Sequence, residues 1–193
     1  PALLARPAAI PAESVVVLYN SREADSKSLA RHYARVRAIP EDNLVGLPMP
    51  PDEEISREQF DEKIRDPLRK LFEARGWWEQ TEGADGLTQP ISLKRRILVT
   101  MRGVPYKIAR TPETIPANQL EKRPFAPDPK GNESSIDSEL SLLGVESYSI
   151  AGQINNPYFR QDESVMDFSN ASFLVVGRID GPSPAICKRM IDD

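Results

Sequence analysis

Four almost uninterrupted apolar segments constrain the fold of this chain more than any other feature of its sequence. The first of them, "SVVVLYN" at 14–20, is rich in β-branched residues. A strand with one solvent-facing side alternates apolar and polar residues, whereas a continuous apolar run is typical of a parallel strand covered on both faces. The sequence therefore predicts a buried parallel sheet. Its other strands are predicted at "NLVGLPM" (43–49), "RRILVTM" (95–101) and "SFLVVGR" (172–178).

Helical patterns separate these strands, and a short polar residue marks the expected start of each helix. Ser56 followed by Gln59 fits a capping box, in which each side chain bonds the backbone of the other residue. Pro67 lies inside the same helical pattern, so a kink or break is expected near Asp66. The four helices are predicted to begin at Asp25 or Ser26, at Ser56, at Ser134, and at Ser183 directly before Pro184.

This alternation of strand and helix predicts a three-layer α/β domain, with helices on both faces of a mostly parallel sheet of about four or more strands. Proline accounts for 18 of the 193 residues, so long Pro-rich loops are expected. We assign residues 1–13 to an N-terminal tail and residues 14–193 to one domain, which we expect to continue in the natural protein. The long connection at 76–94 carries Trp77 and Trp78, expected either to face a partner or carbohydrate or to plug the sheet.

The composition excludes several classes of function. The 25 basic and 29 acidic residues give a net charge of −4, which provides no electrostatic case for binding nucleic acid. No apolar run is long enough for a membrane span. The single cysteine, Cys187, is interpreted as a buried core thiol, because it lies at helical spacing among apolar residues. The single histidine, His32, excludes zinc sites built from three histidines and is interpreted as a partly buried helical residue.

Ligands of open α/β sheets bind outside the carboxyl ends of the strands. The corners of this chain that fall there are 19–23, 48–54, 102–106 and 178–183. They lack the Gly-rich phosphate loops of nucleotide-binding folds, so no cofactor is predicted, although the acidic residues 52–54 leave room for a divalent metal. The corner residues expected to bind a ligand are Asn20, Ser21, Arg102 and Arg178.

The polar stretch "NESSIDSEL" (132–140) has two interpretations. Ser134 with Asp137 fits a capping box, which accounts for its polar residues by helix initiation alone. The stretch also follows a long excursion from the third strand, which would bring Ser135 and Asp137 over the strand ends beside Arg102. The sequence leaves open whether this stretch is only a helix cap or a cap and a site.

Several blocks, taken in order, resemble an uncharacterised family of bacterial, often exported, conserved hypothetical proteins. The resemblance spans about Val15 to Gly181, and it implies no reaction. It implies that the Asp137 region, Asn156-Pro157-Tyr158 and Arg178 belong to the family pattern. It also supports a periplasmic or extracellular location over a cytoplasmic one. The blocks are "VVVLYNS", "SLARHYARVRAIPEDNLVGL", "ISREQFDEKIRDPL", "ILVTMRGVPYKI", "SSIDSELSLL", "NNPYF" and "FLVVGRIDGPS".

Three hypotheses for function follow. The leading one is a domain that binds a small molecule or a protein at the strand ends, with Ser135, Asp137 and Asn156 added to the corner residues. The second is a hydrolase, with or without a divalent metal, whose acid and base would come from Asp137, Glu139 and Asp180. The third is a structural module of a larger exported protein, which predicts a flat strand-end face.

Overall fold

The computed structural model describes residues 10–83, 86–111, 131–146 and 173–193, and it contains both helices and strands. The strands are β1 (Val15–Asn20), β2 (Leu44–Leu47), β3 (Glu54–Ile55), β4 (Trp78–Glu82), β5 (Thr88–Leu93), β6 (Ile97–Met101), β7 (Lys107–Ile108), β8 (Ser134–Ser135) and β9 (Val175–Ile179). The α-helices are α1 (Ala24–Val36), α2 (Arg57–Phe60), α3 (Asp66–Ala74), α4 (Ile136–Ser141) and α5 (Pro184–Asp192).

The four predicted strands form one sheet in the order β2-β1-β6-β9, and every neighbouring pair is parallel. The central strands β1 and β6 are almost completely buried, which agrees with their continuous apolar sequences. Strand β9 lies at the end of this order, and its residues are only partly buried. The predicted α/β class with a parallel sheet is confirmed.

Helices pack on both faces of this sheet and enclose two separate hydrophobic cores. Alternate residues of β1 point to opposite faces, so Val15 and Val17 belong to one core while Val16 and Leu18 belong to the other. The first core is closed by α1 and α5 and includes Cys187, which is fully buried as predicted. The larger core is closed by α2, α3 and α4, with Phe60, Ile64, Leu68, Phe72, Ile136 and Leu140 as its main apolar side chains.

The helical segment after β3 begins as predicted and is then interrupted. Ser56 accepts a hydrogen bond from the backbone of Gln59, and the Gln59 side chain accepts one from the Ser56 backbone, so the capping box is confirmed. The predicted break near Asp66 takes the form of a π-helical segment, Asp61–Arg65, that ends just before α3. Pro67 provides the physical reason, because its ring disfavours a regular turn against the carbonyl four residues earlier.

The start of α1 differs from the expected one, whereas the start of α5 agrees with it. Helix α1 begins one residue before Asp25, and neither Asp25 nor Ser26 caps it. Ser26 is buried, and its hydroxyl accepts a hydrogen bond from the backbone N–H of Asn20. Helix α5 does begin at the predicted cap, where the Ser183 hydroxyl accepts a bond from the Ile186 N–H.

The connection at 76–94 was expected to be a long loop, but most of it is an antiparallel hairpin of β4 and β5 with a bulge at Glu79 and Gln80. Trp77 and Trp78 are 5 % and 4 % exposed, and both rings contact Phe72. Both indole rings are therefore packed into the larger core. The alternative in which they face a partner or carbohydrate is wrong. The apolar area that two indole rings bury explains this outcome.

Candidate functional site

Asn20, the last residue of β1, joins three corners at the carboxyl end of the sheet. Its side-chain amide donates to the backbone carbonyls of Pro50 at 3.3 Å and Gly103 at 3.1 Å. Its side-chain oxygen accepts from the backbone N–H groups of Arg22 at 3.1 Å and Met49 at 3.2 Å. The residue is fully buried, and these four bonds occupy its two donors and two acceptor positions. Asn20 was predicted to bind a ligand. Its side-chain hydrogen bonds instead connect the backbones of the three corners.

Ser21, the next predicted residue, is exposed at the same end of the sheet. Its backbone N–H donates to the carbonyl of Leu47 at 2.9 Å, which extends the pairing of β1 with β2 by one bond. Ser21 is not among the residues that line the strand-end cleft described below.

Arg178 in β9 and Asp137 in α4 form a bidentate ion pair beneath the loop that follows β6. The Nε and one terminal nitrogen of Arg178 donate to the two carboxylate oxygens of Asp137, each at 2.7 Å. The same guanidinium donates to the backbone carbonyls of Val104 at 2.8 Å and Pro105 at 3.0 Å. Thr100 adds a longer bond to Asp137 at 3.3 Å. The pair therefore fixes the position of the 104–105 backbone.

The sequence predicted that Ser134 and Asp137 form a capping box, and this prediction is wrong. The residue before α4 is Ser135, which makes no capping hydrogen bond through its side chain. Ser135 is exposed and pairs with Lys107 in the small sheet of β3, β7 and β8. The Asp137 carboxylate is drawn instead to Arg178, a cation from a distant part of the chain. "NESSIDSEL" is thus a helix start whose Asp137 carboxylate pairs with Arg178, the residue that holds the backbone of Val104 and Pro105.

Glu139, a catalytic candidate, lies away from Asp137 and Asp180 in an ion pair of its own. Its carboxylate accepts from Arg57 at 2.9 Å and from the Ser134 hydroxyl at 2.7 Å. The Glu139 and Arg57 side chains are only 7 % and 9 % exposed. The pair ties α4 to the start of α2 inside the protein, so we interpret Glu139 as a structural residue.

A cleft of about 230 Å³ opens at the carboxyl ends of the strands, as the sequence predicted for a ligand site. Arg102, which follows β6, and Asp180, which follows β9, lie on its wall. The Arg102 Nε donates to the carbonyl of Gly181 at 3.2 Å, which orients the guanidinium. Within the described ranges its two terminal nitrogens have no hydrogen-bond acceptor. The cleft is lined by Glu23, Pro51, Asp52, Glu53, Arg102, Gly103, Val104, Pro105, Tyr106, Asp180, Gly181 and Pro182.

Acidic side chains outnumber Arg102 around this cleft. Glu23 lies against Gly103, since a Cβ atom on Gly103 would be 2.5 Å from its Oε2. Glu53 accepts a hydrogen bond from the Tyr106 hydroxyl at 2.9 Å, and this bond raises the pKa of Tyr106. Asp180 accepts from the backbone N–H of Gly181 at 2.7 Å and has a longer contact of 3.8 Å with the Arg178 guanidinium.

The structure therefore divides the predicted site residues into three groups. Arg102 and Asp180 line the cleft, Asn20, Asp137 and Arg178 hold its walls, and Ser21, Ser135 and Glu139 lie elsewhere. Asn156 is outside the described residues. The corners indicated by the sequence contain the residues of this cleft, but Glu23 and Tyr106 were not singled out, and Asp52 and Glu53 were considered only as possible ligands of a divalent metal. All four residues lie within the corners 19–23, 48–54 and 102–106, and this position after a strand is the sequence signal that indicated them.

In the described part of the chain, no three His, Cys, Asp or Glu side chains are grouped so that they could hold a metal ion. None of the helices described is both long enough and apolar enough to cross a membrane.

Comparisons of the chain with protein-family models, with curated proteins and with solved structures found no match. The family resemblance seen in the sequence consequently stays a prediction.

Proposed function

We propose that this chain is a binding domain whose strand-end cleft holds a small zwitterion, a molecule with one carboxylate and one ammonium group. The observation that carries the proposal is the Arg102 guanidinium. It is half-buried, it is oriented by its bond to Gly181, and its terminal nitrogens have no protein acceptor in the ranges described. A guanidinium in this state is suited to a bidentate bond with a carboxylate.

The other charges of the cleft suit the ammonium end of such a molecule. Glu23, Asp52 and Asp180 line the same concavity as Arg102, and none of the three has a short ion pair with a described cation. A ligand that carried only a carboxylate would satisfy Arg102 and leave this excess of negative charge unmatched. A ligand with both charges complements both parts of the wall.

The size and the construction of the cleft agree with a small ligand. Its volume of about 230 Å³ lies below the range of about 300–1,000 Å³ typical of sites for drug-sized molecules. Asn20 and the Arg178–Asp137 pair hold the surrounding loops through backbone hydrogen bonds. A site built in advance in this way loses little conformational entropy when it binds.

These observations favour binding over the two other hypotheses. A hydrolase would need carboxylates with independent acid and base roles, but Asp137 and Glu139 are each held by an arginine. A structural module would present a flat strand-end face, whereas the proposal rests on a concavity with an oriented arginine. We also keep the expectation of export, which rests on the family resemblance.

The test is a thermal-shift and calorimetric screen of the common L-amino acids, with propionate and isopropylammonium as probes that carry one charge each. We expect at least one zwitterion to stabilise the protein, by about 2.7 kcal/mol at 100 times its Kd. The single-charge probes should produce no comparable effect. The proposal is wrong if no zwitterion binds, or if propionate stabilises the protein as well as the best of them.

A pair of variants assigns the effect to the cleft. Arg102→Gln should remove the response to the zwitterion, because it replaces the forked cation with a neutral amide. Arg22→Gln is the matched control, since Arg22 is an exposed arginine at the same end of the sheet that does not line the cleft. Retained binding in Arg102→Gln would contradict the proposed role of Arg102.

A further inference from the structure

A second concavity lies in the groove between α1 and α5. Its volume is about 480 Å³, and it shares no lining residue with the strand-end cleft. Unlike the cleft, it is lined by basic and neutral residues and by no carboxylate. The lining residues are Ala24, Lys27, Ser28, Leu29, Arg31, His32, Arg35 and Lys188.

The cations of this groove follow a regular spacing. Lys27, Arg31 and Arg35 recur every four residues along α1, so they share one face of the helix over about 12 Å, at a rise of 1.5 Å per residue. Lys188 faces them from α5. Like charges at this spacing oppose each other and destabilise an isolated helix. No described carboxylate forms an ion pair with any of these four cations.

His32 connects the two helices at one end of the groove. Arg35 donates a hydrogen bond to the His32 Nδ1 at 2.8 Å, and the His32 Nε2 donates to the Asp192 carboxylate at 2.5 Å. A guanidinium can only donate, so the His32 Nδ1 is the acceptor in its contact with Arg35. The chain of bonds from Asp192 through His32 orients Arg35 and thus gives the groove one cation in a defined position.

We propose that the groove between α1 and α5 binds a small molecule that carries two or more phosphate groups. Three of the cations span about 12 Å along α1 and Lys188 faces them, so a ligand with a similar number of negative charges complements the groove. Two phosphate groups supply about three to four charges, because each phosphomonoester carries about −1.5 to −2 near neutral pH. The two arginines can form forked hydrogen bonds with phosphate oxygens, and the two lysines add point charges.

The overall charge of the chain does not explain why this groove is basic. The protein carries a net charge of −4, so a concavity whose lining residues include four cations and no carboxylate runs against its average composition. The groove is also concave, and a small anion bound within it would contact residues from both helices. This favours a compact polyphosphate ligand over the long and flat contact that a nucleic acid requires.

The experiment is isothermal titration calorimetry of the full 193-residue chain with tripolyphosphate, and with inorganic phosphate as the single-group comparison. We expect tripolyphosphate to bind more tightly than inorganic phosphate, with an affinity that falls as the salt concentration rises. Arg31→Gln and Lys188→Gln should each weaken tripolyphosphate binding by about 10- to 100-fold, the effect of one charge-assisted hydrogen bond.

Two controls keep the test specific to the groove. Lys94→Gln removes an exposed basic residue that does not line the groove and should leave tripolyphosphate binding unchanged. Arg102→Gln should also leave it unchanged, so the outcome is independent of the proposed zwitterion site. The proposal is overturned if tripolyphosphate does not bind, if inorganic phosphate binds equally well, or if Arg31→Gln and Lys188→Gln bind it like the unmodified chain.

Discussion

Arg178 donates hydrogen bonds of 2.7 Å to both carboxylate oxygens of Asp137, and this pair joins the edge strand β9 to the helix α4. The two side chains are 15 % and 27 % exposed, so the pair lies between a surface and a buried salt bridge. Because Arg178 also holds the carbonyls of Val104 and Pro105, the pair links α4 to one wall of the strand-end cleft.

We predict that Asp137→Asn lowers the free energy of unfolding by about 1–3 kcal/mol, since it removes the charge that opposes Arg178. For a chain of this size the melting temperature should fall by roughly 2–12 °C. Ser138→Ala, at an exposed position of the same helix, should change stability by no more than about 0.5 kcal/mol. If the pair is the cause, the double variant with Arg178→Gln should lose less stability than the sum of the two single variants.

Glu139→Gln should destabilise the protein more strongly, by about 3 kcal/mol. The substitution keeps an oxygen acceptor for Arg57 and Ser134 but removes the negative charge opposite a buried guanidinium. Urea unfolding should show a lower midpoint with an unchanged slope. Glu62→Gln, in an exposed pair with Lys63 at 3.6 Å, should change stability by less than about 1 kcal/mol. Equal effects of the two substitutions would contradict the structural role of Glu139.

Gly103→Ala should distort the cleft as well as lower stability. Gly103 has a φ of 92°, and an added Cβ would lie 2.5 Å from the Glu23 Oε2. The backbone strain alone costs about 1–3 kcal/mol. Gly86→Ala is the matched control, because Gly86 has a φ of 76° but its nearest neighbouring atom would be 4.0 Å away. The loss measured by thermal unfolding should be larger at Gly103, and Glu23→Ala should relieve part of it.

Asp61 should make stability depend on pH. Burial raises the pKa of Asp61, and the positive charges of Arg65 and Arg57 oppose this shift without cancelling it. A raised folded-state pKa means that the native protein holds the proton more tightly than the unfolded chain does. The resulting stabilisation is fully present below the unfolded pKa of about 4 and is lost as the pH rises through the folded pKa.

Asp61→Asn carries no such charge, so its stability relative to the unmodified chain should increase between about pH 4 and neutral pH. Urea unfolding of both proteins at the two pH values measures this difference. A difference in unfolding free energy that stays constant across that range, or that falls with rising pH, would show that Asp61 is not destabilised as a charged group in the folded protein.

The sheet and two of the helix starts were predictable because their signals are local. A continuous apolar run such as Val15–Leu18 indicates burial on both faces wherever it lies in the chain, and it does lie in the centre of the sheet. The caps at Ser56 and Ser183 depend on hydrogen bonds within three residues, so their sequence patterns are sufficient.

Asp137 shows the limit of prediction from local sequence patterns. Its sequence pattern is also that of a capping box, but an arginine 41 residues away provides a stronger partner than a backbone N–H. The same limit applies to the cleft. Proximity to strand ends predicted Arg102 and Asp180, but which charges stay available depends on pairings such as Arg178 with Asp137, and those exist only after folding.

The four hydrogen bonds of Asn20 have a kinetic consequence. Because one buried side chain bonds both the turn at 49–50 and Gly103, a separate movement of either wall of the cleft would break hydrogen bonds of Asn20. A ligand would then meet a preformed site without a gating step, and the observed association rate should increase linearly with ligand concentration and show no plateau. Selectivity in such a site arises from how fast each ligand leaves.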